Sequence, residues 1–123
     1  MKTIKQKVVV DMSAHEVYSM LMDSKKHSML TGEDAKISKK VGGKFSAYSG
    51  YAEGENIELI PDKKIVQSWR ASDWPKGHYS ELTLTFSPAQ KGTTIELVQK
   101  NVPDEQAESI KSGWTEFYWN KMK

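Results

Sequence analysis

The 123-residue sequence contains no cysteine. Disulfides, thiolate nucleophiles and cysteine-ligated zinc are therefore excluded. Its three histidines, His15, His27 and His78, lie far apart, with no HExxH, no His-x-His and no acidic loop of calcium-binding spacing. No metal site and no cofactor is expected. No apolar run approaches the length of a membrane span, the N-terminal MKTIKQ lacks the apolar core of a signal peptide, and no Asn-x-Ser/Thr acceptor occurs. A cytoplasmic location without membrane contact is the expectation. A net charge of +2 on scattered lysines provides no basic track for nucleic acid. The cluster Lys36, Lys39, Lys40 and Lys44 reads as a solvated strand edge.

Catalytic signatures are missing as well. Ser46 and Ser80 lack a nucleophile-elbow glycine pattern. The glycines at 42, 43, 50 and 54 precede neither a Gly-Lys-Ser/Thr triplet nor a helix, so no phosphate loop is formed. His15 and His27 read as surface residues, and His78 as a ring packed on Trp74. The expectation is a protein that is not an enzyme.

What is present is regular. Residues 2–10 alternate, with Ile4, Val8 and Val10 on one face of a half-buried strand. Ser13-Ala14-His15-Glu16 forms a capping box, after which Ala14, Val17, Tyr18, Leu21 and Met22 make one apolar helical stripe. Asp23-Ser24 starts a second short helix that Thr31-Gly32 ends. From residue 35 to 100, strands alternate with the turn signals Ser49-Gly50, Pro61-Asp62-Lys63-Lys64, Trp74-Pro75-Lys76-Gly77 and Lys91-Gly92, an antiparallel meander with a bulge expected at Gly54. Residues 103–123 read as a long helix with Ala107, Ile110, Trp114, Phe117 and Tyr118 on one broad face, and with Trp119 off it by a third of a turn or more at about 100° per residue. A face this wide must lie across a sheet. The fold class predicted is α+β: one domain over 1–123, with a curved antiparallel sheet of about six strands wrapped around the C-terminal helix, and a monomer.

Aromatic side chains exceed what a small core needs. Tyr48, Trp69, Trp114, Phe117 and Tyr118 are the candidate lining of a cavity between sheet and helix that takes a small hydrophobic molecule. Arg70, Trp74, His78 and Trp119 are the candidate contact patch of a protein-interaction module. Trp74 sits in a connection, where side chains are less often fully buried, and is expected partly at the surface.

Gly42-Gly43-Lys44-Phe45, Gly54, the run from Ile57 to Phe86 with its Trp-Arg and Trp-Pro-x-Gly-His elements, Val102-Pro103, Gly113-Trp114 and Tyr118-Trp119 resemble the C-terminal domain of activators of the heat-shock protein 90 ATPase. That family belongs to the START-like (SRPBCC) superfamily. The resemblance implies a helix-grip fold and two roles: binding of a hydrophobic small molecule between sheet and helix, or contact with heat-shock protein 90 as a reduced co-chaperone. Full-length co-chaperones carry an additional N-terminal domain, and the resemblance covers only the second.

Overall fold

The computed structural model describes residues 1–123. Strand β1 (Lys2–Val10) leads into helices α1 (Ala14–Met22) and α2 (Ser24–Thr31). Strands β2 (Lys36–Ile37), β3 (Lys44–Ala47), β4 (Ala52–Ile60), β5 (Lys64–Ala71), β6 (Ser80–Pro88) and β7 (Thr93–Val102) follow, and helix α3 occupies residues 104–122. All seven strands form one sheet in the order β1-β7-β6-β5-β4-β3-β2, every pair antiparallel. The two helices thus carry the chain from one sheet edge to the other. The seventh strand is β2, which pairs only Lys36 with Ser46 and Ile37 with Phe45. Two residues are too few to leave a periodic signal.

Local chemistry accounts for the helix ends. Glu16 N–H donates to Ser13 Oγ and Ser13 N–H to Glu16 Oε1, both at 3.1 Å. Asp23 Oδ2 accepts from Lys26 N–H at 2.9 Å to open α2, and Gly32 at φ 78° closes it. The left-handed φ is one glycine adopts without steric cost.

The expected bulge lies elsewhere. Pairing of β4 with β5 shifts between Asn56 and Glu58, which leaves Ile57 as the extra, exposed residue. Gly54 serves a close approach instead: a Cβ there would collide with the Ser68 carbonyl and the Phe45 ring. Near the bulge, Asn56 Nδ2 donates to the carbonyls of Ser38 (2.7 Å) and Lys40 (3.0 Å), while Gln67 Nε2 donates to Asn56 Oδ1 at 2.9 Å. This buried amide pair ties the loop before β3 to the sheet.

Helix α3 is not uniform. A 3-10 turn (Asp104–Gln106) precedes an α-helical segment (Ala107–Trp114), a π-helical turn (Thr115–Trp119) and a last turn (Asn120–Met122). Asn120 N–H bonds Thr115 C=O, five residues back. A π turn aligns side chains five apart, which an α-helix would splay. Trp119 is therefore not off the apolar face but rotated into it, with 0% exposure.

Candidate functional site

A cavity of about 270 Å³ lies between α3 and the sheet side formed by the β3–β4 turn, β4 and β5. All five residues expected at such a cavity line it: Tyr48, Trp69, Trp114, Phe117 and Tyr118. Tyr51 and Ser109 contribute hydroxyl-bearing side chains to the wall, and the small residues Ala52 and Gly113 leave room. Trp69 enters from the inner face of β5. From α3, Trp114 stands 6.2 Å from Trp69 and 4.7 Å from Tyr118, centroid to centroid. Tyr48 closes the wall against Phe117 at 5.0 Å.

Tyr48 reaches that position through an uncommon backbone. It has φ 56°, Ser49 φ 54° and Gly50 φ 89°, and Tyr51 N–H closes the turn on Tyr48 C=O at 3.1 Å. A bulky residue in the left-handed region costs on the order of 1 kcal/mol and persists only where its surroundings hold it. Ser49 Oγ supplies part of that hold by donating to Glu33 Oε1 at 2.9 Å.

The polar atoms of the inner rings are occupied by the protein. Trp114 Nε1 donates to Gln99 Oε1 (2.9 Å), Gln99 Nε2 to Ser80 Oγ (3.0 Å), and Ser80 Oγ to Trp69 C=O (2.7 Å). Trp119 Nε1 donates to Gln6 Oε1 at 2.8 Å, and Gln6 Nε2 donates to Lys111 C=O and Thr115 Oγ1 at the π turn. His27 is buried, not at the surface as its lysine neighbours led one to expect. Its Nδ1 lies 3.2 Å from Leu21 C=O, an acceptor only, so Nδ1 carries the hydrogen. Nε2, 2.8 Å from Tyr118 Oη, then accepts from the phenol. Burial holds the His27 imidazole below its ordinary value and raises the Tyr118 phenol well above its own. The spacing of His27, Leu30 and Thr31 at i, i+3 and i+4 marks the inner face of α2 and is the signal for this placement.

The second set of expected residues forms an internal clamp, and two of them cannot meet a partner. Trp74 and Trp119 are 4% and 0% exposed. Arg70 explains Trp74: Nη2 donates to Trp74 C=O at 2.7 Å and Nη1 lies 3.6 Å from Glu53 Oε1, drawing the connection onto the sheet. Trp74 packs between Trp69 (5.4 Å) and His78 (5.7 Å), both edge-on. His78 Nε2 is anchored 2.8 Å from Asn101 C=O. Buried Arg70 Nε and Trp74 Nε1 have no hydrogen-bond partner. Tyr79, exposed beside Arg70, is the aromatic that this corner does present. No group of three His, Asp or Glu side chains is placed to hold a metal ion, and no helix is long and apolar enough to cross a membrane.

A sheet that grips its C-terminal helix over an aromatic-walled cavity defines the class: a START-like, helix-grip domain. Within that class the chain belongs to the family of activator of Hsp90 ATPase homolog 1-like proteins, whose model matches residues 11–123. It is 36% identical over 123 residues to an activator of 90 kDa heat shock protein ATPase homolog from Dictyostelium discoideum, covering 99% of this chain and 32% of that one. Its identity to the human activator of 90 kDa heat shock protein ATPase homolog 1 is 31% over 111 residues, 90% of this chain and 33% of the relative. The chain thus spans about a third of the length of these curated relatives. Among solved structures, an HSP90 activator from Plasmodium falciparum superposes with a TM-score of 0.89 at 27% identity, covering 98% of this chain and 92% of that one.

Proposed function

We propose that this domain is a non-enzymatic binding module whose cavity takes a small hydrophobic molecule between the sheet and α3. The observation that carries this reading is the roughly 270 Å³ cavity, with eight apolar residues among the ten that line it. Cavities of this kind, apolar with a few hydroxyls to orient the guest, are the usual form of a small-molecule site. Tyr48 supports it further, because strained backbone at a cavity wall is retained where it shapes a site. Native mass spectrometry of freshly purified protein is the test. A small-molecule adduct released on unfolding is the expected result. An adduct-free mass, together with failure to bind any small aromatic probe, would remove the reading.

A second reading, contact with heat-shock protein 90 as a reduced co-chaperone, is favoured by one finding: the similar Plasmodium falciparum chain, named as an HSP90 activator, is covered over 92% of its length. With Trp74 and Trp119 enclosed, the contact would fall to His78 and Tyr79 at the rim of the Arg70 clamp. The ATP turnover of heat-shock protein 90 from the same organism, measured with and without this protein, decides it. Stimulation supports the reading, and neither stimulation nor binding at micromolar concentration removes it.

A further inference from the structure

We infer that the cavity selects a hydrophobic cation: an ammonium or protonated amine carried on a small apolar body. This inference rests on the cavity reading above and names its ligand class.

What the cavity presents is ring surface. The Trp114 indole N–H is committed to Gln99 and the Tyr118 hydroxyl to His27, so both residues offer the guest ring surface and not their donors, Trp114 on the side turned away from Trp119. With Trp69, Phe117 and Tyr48 they wall one space in which neighbouring rings stand 4.7 to 6.2 Å apart. The electron-rich faces of such rings add an electrostatic attraction for a cation that a neutral guest of the same shape does not receive.

The charges that act on the tyrosines of the cavity are acidic. No lysine, arginine, aspartate or glutamate lines it. Glu33 is fixed beside Tyr48 through the Ser49 hydroxyl at 2.9 Å, and Glu116 is the residue before Phe117 on α3. Both carboxylates, after burial, raise the Tyr48 phenol, and Asp73 acts likewise on Tyr51. Lys121, further along α3, is turned to Thr31 C=O at 3.3 Å. A guest carboxylate or phosphate would meet three acidic neighbours and no cation in the wall. An ammonium would meet ring faces within, where the low dielectric of the wall strengthens the attraction, and solvent-screened carboxylates at the rim.

The experiment is a tryptophan-fluorescence titration of the full chain with three probes of one shape: benzyltrimethylammonium, its neutral isostere neopentylbenzene, and phenylmethanesulfonate. The expected order is cation first, by on the order of tenfold over the neutral probe, with no saturable binding of the anion. The double variant Asp73→Asn, Glu116→Gln, both exposed positions, should lower affinity for the cation and leave that for neopentylbenzene unchanged. Neutral binding equal to or tighter than cation binding, or saturable anion binding, overturns the charge selection and leaves the cavity reading standing. If none of the three binds, both fall together.

Discussion

The indole rings of Trp114 and Trp119 stack, centroids 5.6 Å apart and planes 15° from parallel, although they lie five positions apart on one helix. The π turn at Thr115–Trp119 makes this possible. Its carbonyl and hydroxyl surroundings are met from β1 by Gln6, which also accepts the Trp119 N–H. Gln6→Leu strips that N–H of its acceptor in a buried setting and should cost about 1–3 kcal/mol of stability by urea denaturation. A loss below that range would mean that another group satisfies the turn.

Gly113 lines the cavity inside the α-helical part of α3, where a Cβ would meet only Phe117 ring carbons at 3.7 and 3.9 Å, ordinary contact distances. Gly113→Ala should therefore stabilise the protein by about 0.5–1 kcal/mol through helix propensity and a less flexible unfolded chain. Thermal or urea melts of the variant against the parent measure it, and destabilisation would contradict the open space drawn beside residue 113.

Trp74→Ala removes a side chain that is 4% exposed and packed between Trp69 and His78. A loss of about 3–5 kcal/mol is expected, as for other buried aromatics. A melting temperature within a few degrees of the parent would show that Trp74 spends its time outside the clamp.

His27 predicts a pH dependence. Burial depresses its folded-state pKa below the unfolded value of 6.5, so on acidification the unfolded chain takes up a proton that the native state refuses. Stability is then complete above that unfolded value, declines as pH falls below it, and levels off once the folded-state pKa is passed. Urea melts of parent and His27→Gln across pH 4.5 to 8 should diverge only on the acid side, with the variant losing less. Parallel curves would contradict the neutral, doubly hydrogen-bonded imidazole.

Much of this architecture is legible in the sequence because it rests on short-range rules. Ser13 and Glu16 three apart announce the start of α1, and alternation along Leu82, Leu84 and Phe86 announces β6. The same periodicities bring four rings to one cavity, Trp69 from a strand and Trp114, Phe117 and Tyr118 from one helical face, and Tyr48 joins them from the turn before β4. Misplaced residues are those whose position depends on a partner or on broken periodicity. A helical wheel at 3.6 residues per turn puts Trp119 outward, and only the π turn brings it in. Trp74 is buried because Arg70 holds its carbonyl, a side chain-to-backbone bond with no periodic trace. His27 was masked by the lysines beside it. Gly54 signalled a backbone irregularity, yet the bulge forms three residues on, where Ile57 can face solvent.

The cavity carries the functional account, and filling it is the most direct test. N-phenyl-1-naphthylamine, a neutral dye that brightens in apolar surroundings, should bind the parent with one-to-one stoichiometry. Gly113→Leu, which places a side chain in the space among Trp114, Phe117 and Tyr51, should fold with a parent-like melting temperature and lose dye binding by tenfold or more. Equal binding by the two proteins, or none by the parent, would contradict a ligand site between the sheet and the C-terminal helix.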